Sequence, residues 1–390
     1  MEVHKLSAQE RFEANLISTV AFHMRMEDPE KSREESLKDT VEDWGAFAAD
    51  GRMAARIINH RFDTWLDGHP VPCGGIGAVS TLPEYRNTGA VRRIFEKLLP
   101  EAWRNGEVLS ALYPFNHAFY RKFGYETVRW RNDYEFEPSV LSGYRFSGTA
   151  ELWKPGDPSE EYTALYNRFA EGFNLSMRRD EKMMLGHLKG EYYKDRKFCY
   201  MLREDGRPVA YLIFQDIRND PAAILSVQDL AWDGRAGLYA VLGFLARFSA
   251  DYGTVKLFLP ASLELLSVIQ TPRAYDIRQT AQQAYMVRAV NARRVLELIR
   301  KPDDSRFVIR VEGDQQIPEN NGTFVVCGNT VESVPDTPDL TVSVQALGQM
   351  AAGCVSFTEA LYRPDVTLSG NRDLLERIFV RKPILVEEHF

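Results

Sequence analysis

Val79-Ser80-Thr81-Leu82-Pro83-Glu84-Tyr85-Arg86-Asn87-Thr88-Gly89-Ala90-Val91 is the stretch on which the reading of this chain turns. It reads as the end of a strand, a loop of backbone donors and the first turn of a helix. Such a join gathers free N–H groups and the positive end of a helix dipole at one point, which favours a phosphate. Gly89 lets the loop turn and lets a ligand approach the backbone closely. Arg92 and Arg93 follow about one turn later and bring cationic side chains near the same point.

Outward from the loop, runs at 52–58, 62–67 and 73–80 read as strands, with Asp67-Gly68 as a hairpin turn. Val91, Ile94, Phe95, Leu98 and Leu99 keep helical spacing, and Pro100 is expected to end or kink that helix. A short strand Val108–Tyr113, a short helix His117–Phe123 closed by Gly124, and a strand Tyr125–Trp130 complete an α/β order. Upstream, Phe12, Leu16, Val20 and Phe22 fall at roughly helical spacing, and the charged run from Met26 to Ser36 reads as a solvated loop or helix edge. Beyond the cluster Trp153–Pro158 the order repeats without a good loop: a helix Tyr162–Phe173, strands around Asp205-Gly206, a strand Leu225–Trp232, a helix Leu238–Ala250 and a strand Thr254–Leu259. Asp233-Gly234-Arg235-Ala236-Gly237 is a poor match to the first loop, so the second unit reads as a degenerate copy. From Tyr285 a strand, a helix through Leu298, strands near 306–312, 322–328 and 340–345 and helices near 346–351 and 371–379 suggest a small α+β domain.

The chain has 390 residues, too many for one ordinary core, and 44% hydrophobic with 26% charged residues is the balance of a soluble protein. A net charge of -7 argues against a nucleic-acid binder and suits a cationic second substrate. Cys73, Cys199, Cys327 and Cys354 lie far apart with no paired-cysteine or His-Cys motif, so they read as reduced thiols and no metal is expected. No apolar leader or run of about 18 apolar residues is present, so the expectation is a cytoplasmic protein without a membrane partner.

Arg86-Asn87-Thr88-Gly89-Ala90, followed by Phe119-Tyr120-Arg121-Lys122-Phe123-Gly124-Tyr125-Glu126, resembles the GNAT N-acetyltransferases, and more narrowly their enhanced-intracellular-survival (Eis) branch. The resemblance spans essentially the whole chain. It implies two tandem GNAT-like α/β domains, 1–148 and 149–284, and a smaller sterol-carrier-like α+β domain, 285–390. Val91 stands where most of the family has a small residue, a difference the Eis branch tolerates. The resemblance further implies acetyl-CoA as donor, with backbone groups of Arg86, Asn87, Gly89, Ala90 and Val91 on the pyrophosphate. The strand edge at Val79 and Thr81 would pair with the pantetheine amides, which needs a neighbouring strand that parts from it. Asn116 could add a polar contact near the cofactor arm, or simply cap the helix that follows.

Acetyl transfer from a thioester to an amine needs a neutral amine and a proton for the leaving thiolate. A phenol of pKa about 10 is poised against a thiolate of about 8.5. The position that matches the family acid is Tyr120, with Tyr113 a lesser candidate and Tyr125 read as core. The family base is the free carboxylate of a C-terminal Phe threaded back into the first domain, and this chain ends in Phe390. An α-carboxylate of pKa about 3.5 is a weak base, though burial would strengthen it. His389 stands where an acidic residue is expected, which separates this chain from better-known Eis enzymes. With no Cys close to the motif, direct attack in a ternary complex is favoured over an acetyl-cysteine.

The resulting expectation is an acetyl-CoA-dependent N-acetyltransferase acting on an aminoglycoside-like amine, a polyamine or a peptide lysine, assembled as a homo-oligomer as in the hexameric family. The alternatives are transfer of a longer acyl chain, as in the N-myristoyltransferases, and a non-catalytic scaffold that binds lipid or a partner through its last domain.

Overall fold

The computed structural model describes residues 1–38, 41–218, 223–269 and 276–390. Strands β1 (Glu2–Lys5), β2 (Glu42–Phe47), β3 (Met53–Leu66), β4 (His69–Thr81), β5 (Leu109–Leu112) and β6 (Glu126–Val128) build a first sheet together with the far later strand Tyr285–Ala289. The late strand lies between β5 and β6, antiparallel to both, and only β4 and β5 run parallel. The two expected strands 52–58 and 62–67 are one continuous β3. It turns into β4 at Asp67 and Gly68, whose φ values of 51° and 84° are those of a tight hairpin.

The second sheet repeats this plan in the order Thr149–Leu152, Lys197–Glu204, Arg207–Arg218, Ala223–Trp232, Thr254–Pro260, Arg131–Phe136, Ile277–Gln282. Its sixth position is filled by Arg131–Phe136 from the first part of the chain, while the sixth position of the first sheet is filled by Tyr285–Ala289. The two units have therefore exchanged one strand each. Sheet membership thus divides the chain differently from the boundaries 148/149 and 284/285. A third sheet of five strands, from Arg306–Glu312 to Val366–Leu368, carries the C-terminal part.

All five residues of Tyr285–Ala289 are buried, as a central strand covered on both faces requires. Arg288 sits there fully buried because its guanidinium donates to Asp314 Oδ2 at 2.6 Å and to the carbonyl of Phe123. This pair ties the late strand to the third part of the chain and to the segment that precedes β6.

Helix α1 (Ala8–Ala21) begins at Ser7, whose side chain and Glu10 form a reciprocal cap. It buries Ala14, Ile17 and Ser18, and leaves Leu16, Val20 and Phe22 exposed, so the apolar stripe of the sequence is not the packed face. The charged run that follows forms helix α2 (Pro29–Lys38). Helix α3 (Ala90–Arg104) buries Ala90, Ile94, Phe95, Leu98, Leu99 and Ala102 and continues past Pro100. The proline removes one backbone bond, but apolar contacts on both sides of it hold the last turn in place, each buried large side chain contributing about 1.5–3 kcal/mol.

Candidate active site

Strands β4 and β5 are paired from Cys73–Leu109 to Ile76–Leu112, and there β5 ends while β4 continues to Thr81 along β3. The opening is sharpened by a bulge in β4 at Ala78 and Val79, both set against Ile57, with Ala78 at φ 48°. The N–H of Leu82 donates to the carbonyl of Ala54 on β3, so by alternation the backbone groups of Thr81 and Val79 point the other way, into the opening. An unpaired strand edge of this kind accepts an extended amide chain.

The loop closes this edge. Tyr85 and Arg86 fold back onto Leu82 and Pro83, and Asn87 and Gly89 take left-handed φ of 64° and 82°. Among the described residues, no backbone acceptor takes the N–H groups of Asn87, Gly89, Ala90, Val91 or Arg92. Arg86, Asn87 and Gly89 are exposed, Val91 is half-buried and Ala90 is buried under the helix. The loop is thus a ring of outward-facing donors at the positive end of a 15-residue helix.

Helix α4 (His117–Arg121) is capped by Asn116, whose side-chain oxygen accepts from the N–H of Phe119 at 3.0 Å. That oxygen is engaged in capping, the structural alternative considered for Asn116. Tyr120 is 2% exposed and packs against Phe95 of α3, against Phe115 and Phe119, and against Tyr125. Burial pushes its phenol above the ordinary range, so the ring keeps its proton. Tyr125 is core, its hydroxyl at 2.8 Å from Ser110 Oγ.

The chain end returns to the same opening. A Cβ built on Gly75 would lie 2.8 Å from Cδ2 and Cε2 of Phe390, and one built on Gly77 would lie 3.2 Å from the Phe390 carboxylate carbon. The Phe390 ring packs on Phe62 and Tyr113, at centroid distances of 5.4 and 5.8 Å, and lies 6.2 Å from His60. The Tyr113 hydroxyl donates to the carbonyl of Glu388 at 2.7 Å, and the His389 ring lies 4.6 Å from that of Tyr113. Tyr120 clusters with Ile76, Leu112 and α3, whereas Phe390 packs with the core on the other side of the sheet. Tyr120 and Phe390 therefore lie on opposite faces of one sheet.

Two features went unread in the sequence. Gly74, Gly75 and Gly77 within a strand are a signal of close approach: Phe390 lies against Gly75 and Gly77, and the side chains of Glu107 and Asn59 against Gly74. Tyr113, a lesser candidate for the acid, instead holds the tail by its hydroxyl.

Residues 2–128 match the model of the acetyltransferase (GNAT) domain, and residues 286–386 match that of the sterol carrier protein domain. No curated protein matches the chain in sequence. Solved structures match it from end to end. A GCN5-related N-acetyltransferase from Anabaena variabilis has 19% identity and a TM-score of 0.86, covering 100% of both chains. A protein of unknown function from Enterococcus faecalis, described as a probable N-acyltransferase, has 20% identity and a TM-score of 0.87 over 100% of this chain and 99% of its own. Eis1 from Mycobacterium abscessus has 18% identity and a TM-score of 0.83 over 100% of both chains. The chain thus carries a GNAT acetyltransferase domain over residues 2–128 and a sterol carrier protein domain over residues 286–386, within a fold that these solved structures share from end to end.

Proposed function

We propose that this protein transfers an acetyl group from acetyl-CoA to a primary amine of a cationic acceptor by direct attack in a ternary complex. The observation that carries the reading is the seating of the C-terminal carboxylate beside Gly77, at the mouth where β4 leaves β5. In this reading the free N–H groups of Asn87, Gly89, Ala90 and Val91 hold the pyrophosphate, that of the expected donor Arg86 being spent on the carbonyl of Pro83, and the β4 edge at Val79 and Thr81 pairs with the pantetheine amides. The thioester then lies in the mouth. The amine nitrogen attacks the thioester carbonyl, the Phe390 carboxylate takes the proton that the nitrogen loses, and the C–S bond breaks. Tyr120, which burial keeps protonated, gives its proton to the departing thiolate. The chain's net charge of -7 favours approach of a cationic amine.

The test is free-thiol release from acetyl-CoA with a panel of aminoglycosides, polyamines and lysine peptides, on the native chain and on one extended by a few residues beyond Phe390. Transfer by the native chain and its loss on extension are expected, with acetyl-CoA binding retained. A fully active extended protein removes the carboxylate from the mechanism. Binding of lipid without binding of acetyl-CoA overturns the enzyme reading.

A further inference from the structure

The second unit keeps the opening of the first but not its loop. Ala223–Trp232 pairs in parallel with Thr254–Pro260 only from Ile224 to Ser226 and then parts from it. A bulge follows at Gln228, between Val227 and Asp229 and opposite Ile213 and Phe214, as Ala78 follows Ile76 in the first unit. Where the first unit has a loop of donors, here Asp233 leads straight into the helix Gly234–Ala246. That join has no phosphate cradle; charge gathers instead beside the bulge, around a cleft lined by His187, Gln228, Asp229 and Glu388.

Arg179 lies beside it with no side-chain exposure, its guanidinium 3.6 Å over the ring of Tyr166. It donates to Asp229 Oδ2 at 2.6 Å, to the Tyr211 hydroxyl at 3.0 Å and to Glu388 Oε1 at 2.5 Å. His187 reaches the same two acids, at 3.2 Å to Asp229 Oδ2 and 2.9 Å to Glu388 Oε2. Glu388 is two residues from the chain end, and its own carbonyl is held from the first unit by Tyr113. The preceding tail is pinned as well: the N–H of Asn174 donates to the carbonyl of Pro383, and Leu385 is buried in the core of the second unit. Both carboxylate oxygens of Glu387 and Nη2 of Arg179 are buried without a hydrogen-bond partner among the described residues, 3.8 Å apart at the nearest. Buried ions so incompletely satisfied are a weak source of stability, since desolvation offsets most of their attraction. What such a network supplies is a fixed geometry.

We propose that the cleft of the second unit is a clamp for the C-terminal tail, in which Arg179, supported by Asp229 and His187, is a positioning residue that fixes Glu388 and through it the Phe390 carboxylate. The proposal rests on the reading that this carboxylate takes part in transfer. A unit that has lost its phosphate loop thereby sets the geometry of the other unit's centre.

The test uses the full-length protein, with Glu388→Gln and His187→Gln as variants. Glu388→Gln keeps the shape and removes the charge, and His187→Gln withdraws one hold from a partly exposed position while leaving the pairs of Arg179 in place. The first readout is the rate at which carboxypeptidase A releases Phe390, followed by mass spectrometry, which needs no activity. About tenfold faster release is expected for Glu388→Gln, and a smaller acceleration for His187→Gln, because charge-assisted bonds are lost. The second is steady-state transfer, with kcat about tenfold lower in Glu388→Gln, the KM for acetyl-CoA unchanged and far-UV circular dichroism preserved. Release at the native rate in both variants overturns the clamp. Faster release with unchanged kcat overturns the positioning role. A protein lacking Phe390 serves as the control: full activity in it refutes the carboxylate reading itself, whatever the protease shows.

Discussion

Gly75 sits in the middle of β4 with the terminal phenylalanine lying across it, and Gly75→Ala puts that approach to a measurement. The new Cβ would stand 2.8 Å from two carbons of the Phe390 ring and 2.7 Å from Cε1 of Phe62. Carbon atoms in ordinary contact are about 3.5–4.0 Å apart, so both rings must retreat by about 1 Å. Phe62 belongs to β3, whereas Phe390 lies outside any strand or helix, so its backbone and carboxylate shift with its ring. A misplacement of about 1 Å at a reacting group costs on the order of a hundredfold in rate. The expectation is a kcat about a hundredfold lower, measured by thiol release at saturating amine, with the KM for acetyl-CoA unchanged because the loop from Arg86 to Val91 is untouched. Gly77→Ala calibrates the effect. Its Cβ would meet His60 Nε2 at 3.1 Å and the carboxylate carbon at 3.2 Å, so a few tenths of an ångström relieve the contact and a loss of roughly tenfold or less is expected. A Gly75→Ala protein with native kcat refutes the claim that the position of the Phe390 ring governs the reaction.

Tyr120→Phe removes the hydroxyl and keeps the ring among Phe95, Phe115 and Phe119. A fall in kcat of about 10²–10⁴-fold with nearly native acetyl-CoA affinity, read by equilibrium binding, is expected for loss of a general acid; unchanged turnover rejects the role. His187 supplies a pH signature of the clamp. Burial alone would lower its basicity, but hydrogen bonds to Asp229 and Glu388 outweigh this and the nearby Arg179 charge, and carry its pKa up to about 9. A raised pKa stabilises the fold fully below the unfolded value of about 6.5, and the contribution fades as pH rises through about 9. The stability gap between native protein and His187→Gln, on the order of 3 kcal/mol at most, should narrow between those pH values in urea unfolding. A gap independent of pH contradicts the charged state of His187.

The parts of the site legible in the sequence are those written in local chemistry. Gly89 at positive φ and a short apolar strand before it mark the loop, Asp67-Gly68 marks the hairpin, and Asn116 and Gly124 bracket α4. The seat of Phe390 was reachable only through the family resemblance, although the glycines opposite it were in plain view. Long-range choices left no such mark. Nothing in Tyr285–Ala289 or Arg131–Phe136 says which sheet each will join, because both are short and both suit any strand position. The choice is made by partners far along the chain, such as Asp314 for Arg288. The exposed stripe of α1 shows a related limit: helical periodicity identifies the helix but not the face that packs, and the small side chains Ala14 and Ser18 allow the closer approach to the sheet. The clamp was equally hidden, since Arg179, His187, Asp229 and Glu388 are distant in sequence and become one network only when the tail folds back.

The strand exchange also dictates an order of events during synthesis. The seat between β5 and β6 stays empty until Tyr285–Ala289 has been made, on the order of ten seconds to half a minute after β5 at ribosomal rates of about 5–20 residues per second. Through that interval the nascent first unit carries two open strand edges, the condition that invites wrong pairing. The second unit, by contrast, already holds its borrowed strand. It can mature first, so the part of the protein made earliest is finished late, and neither half can later melt without releasing a strand of the other.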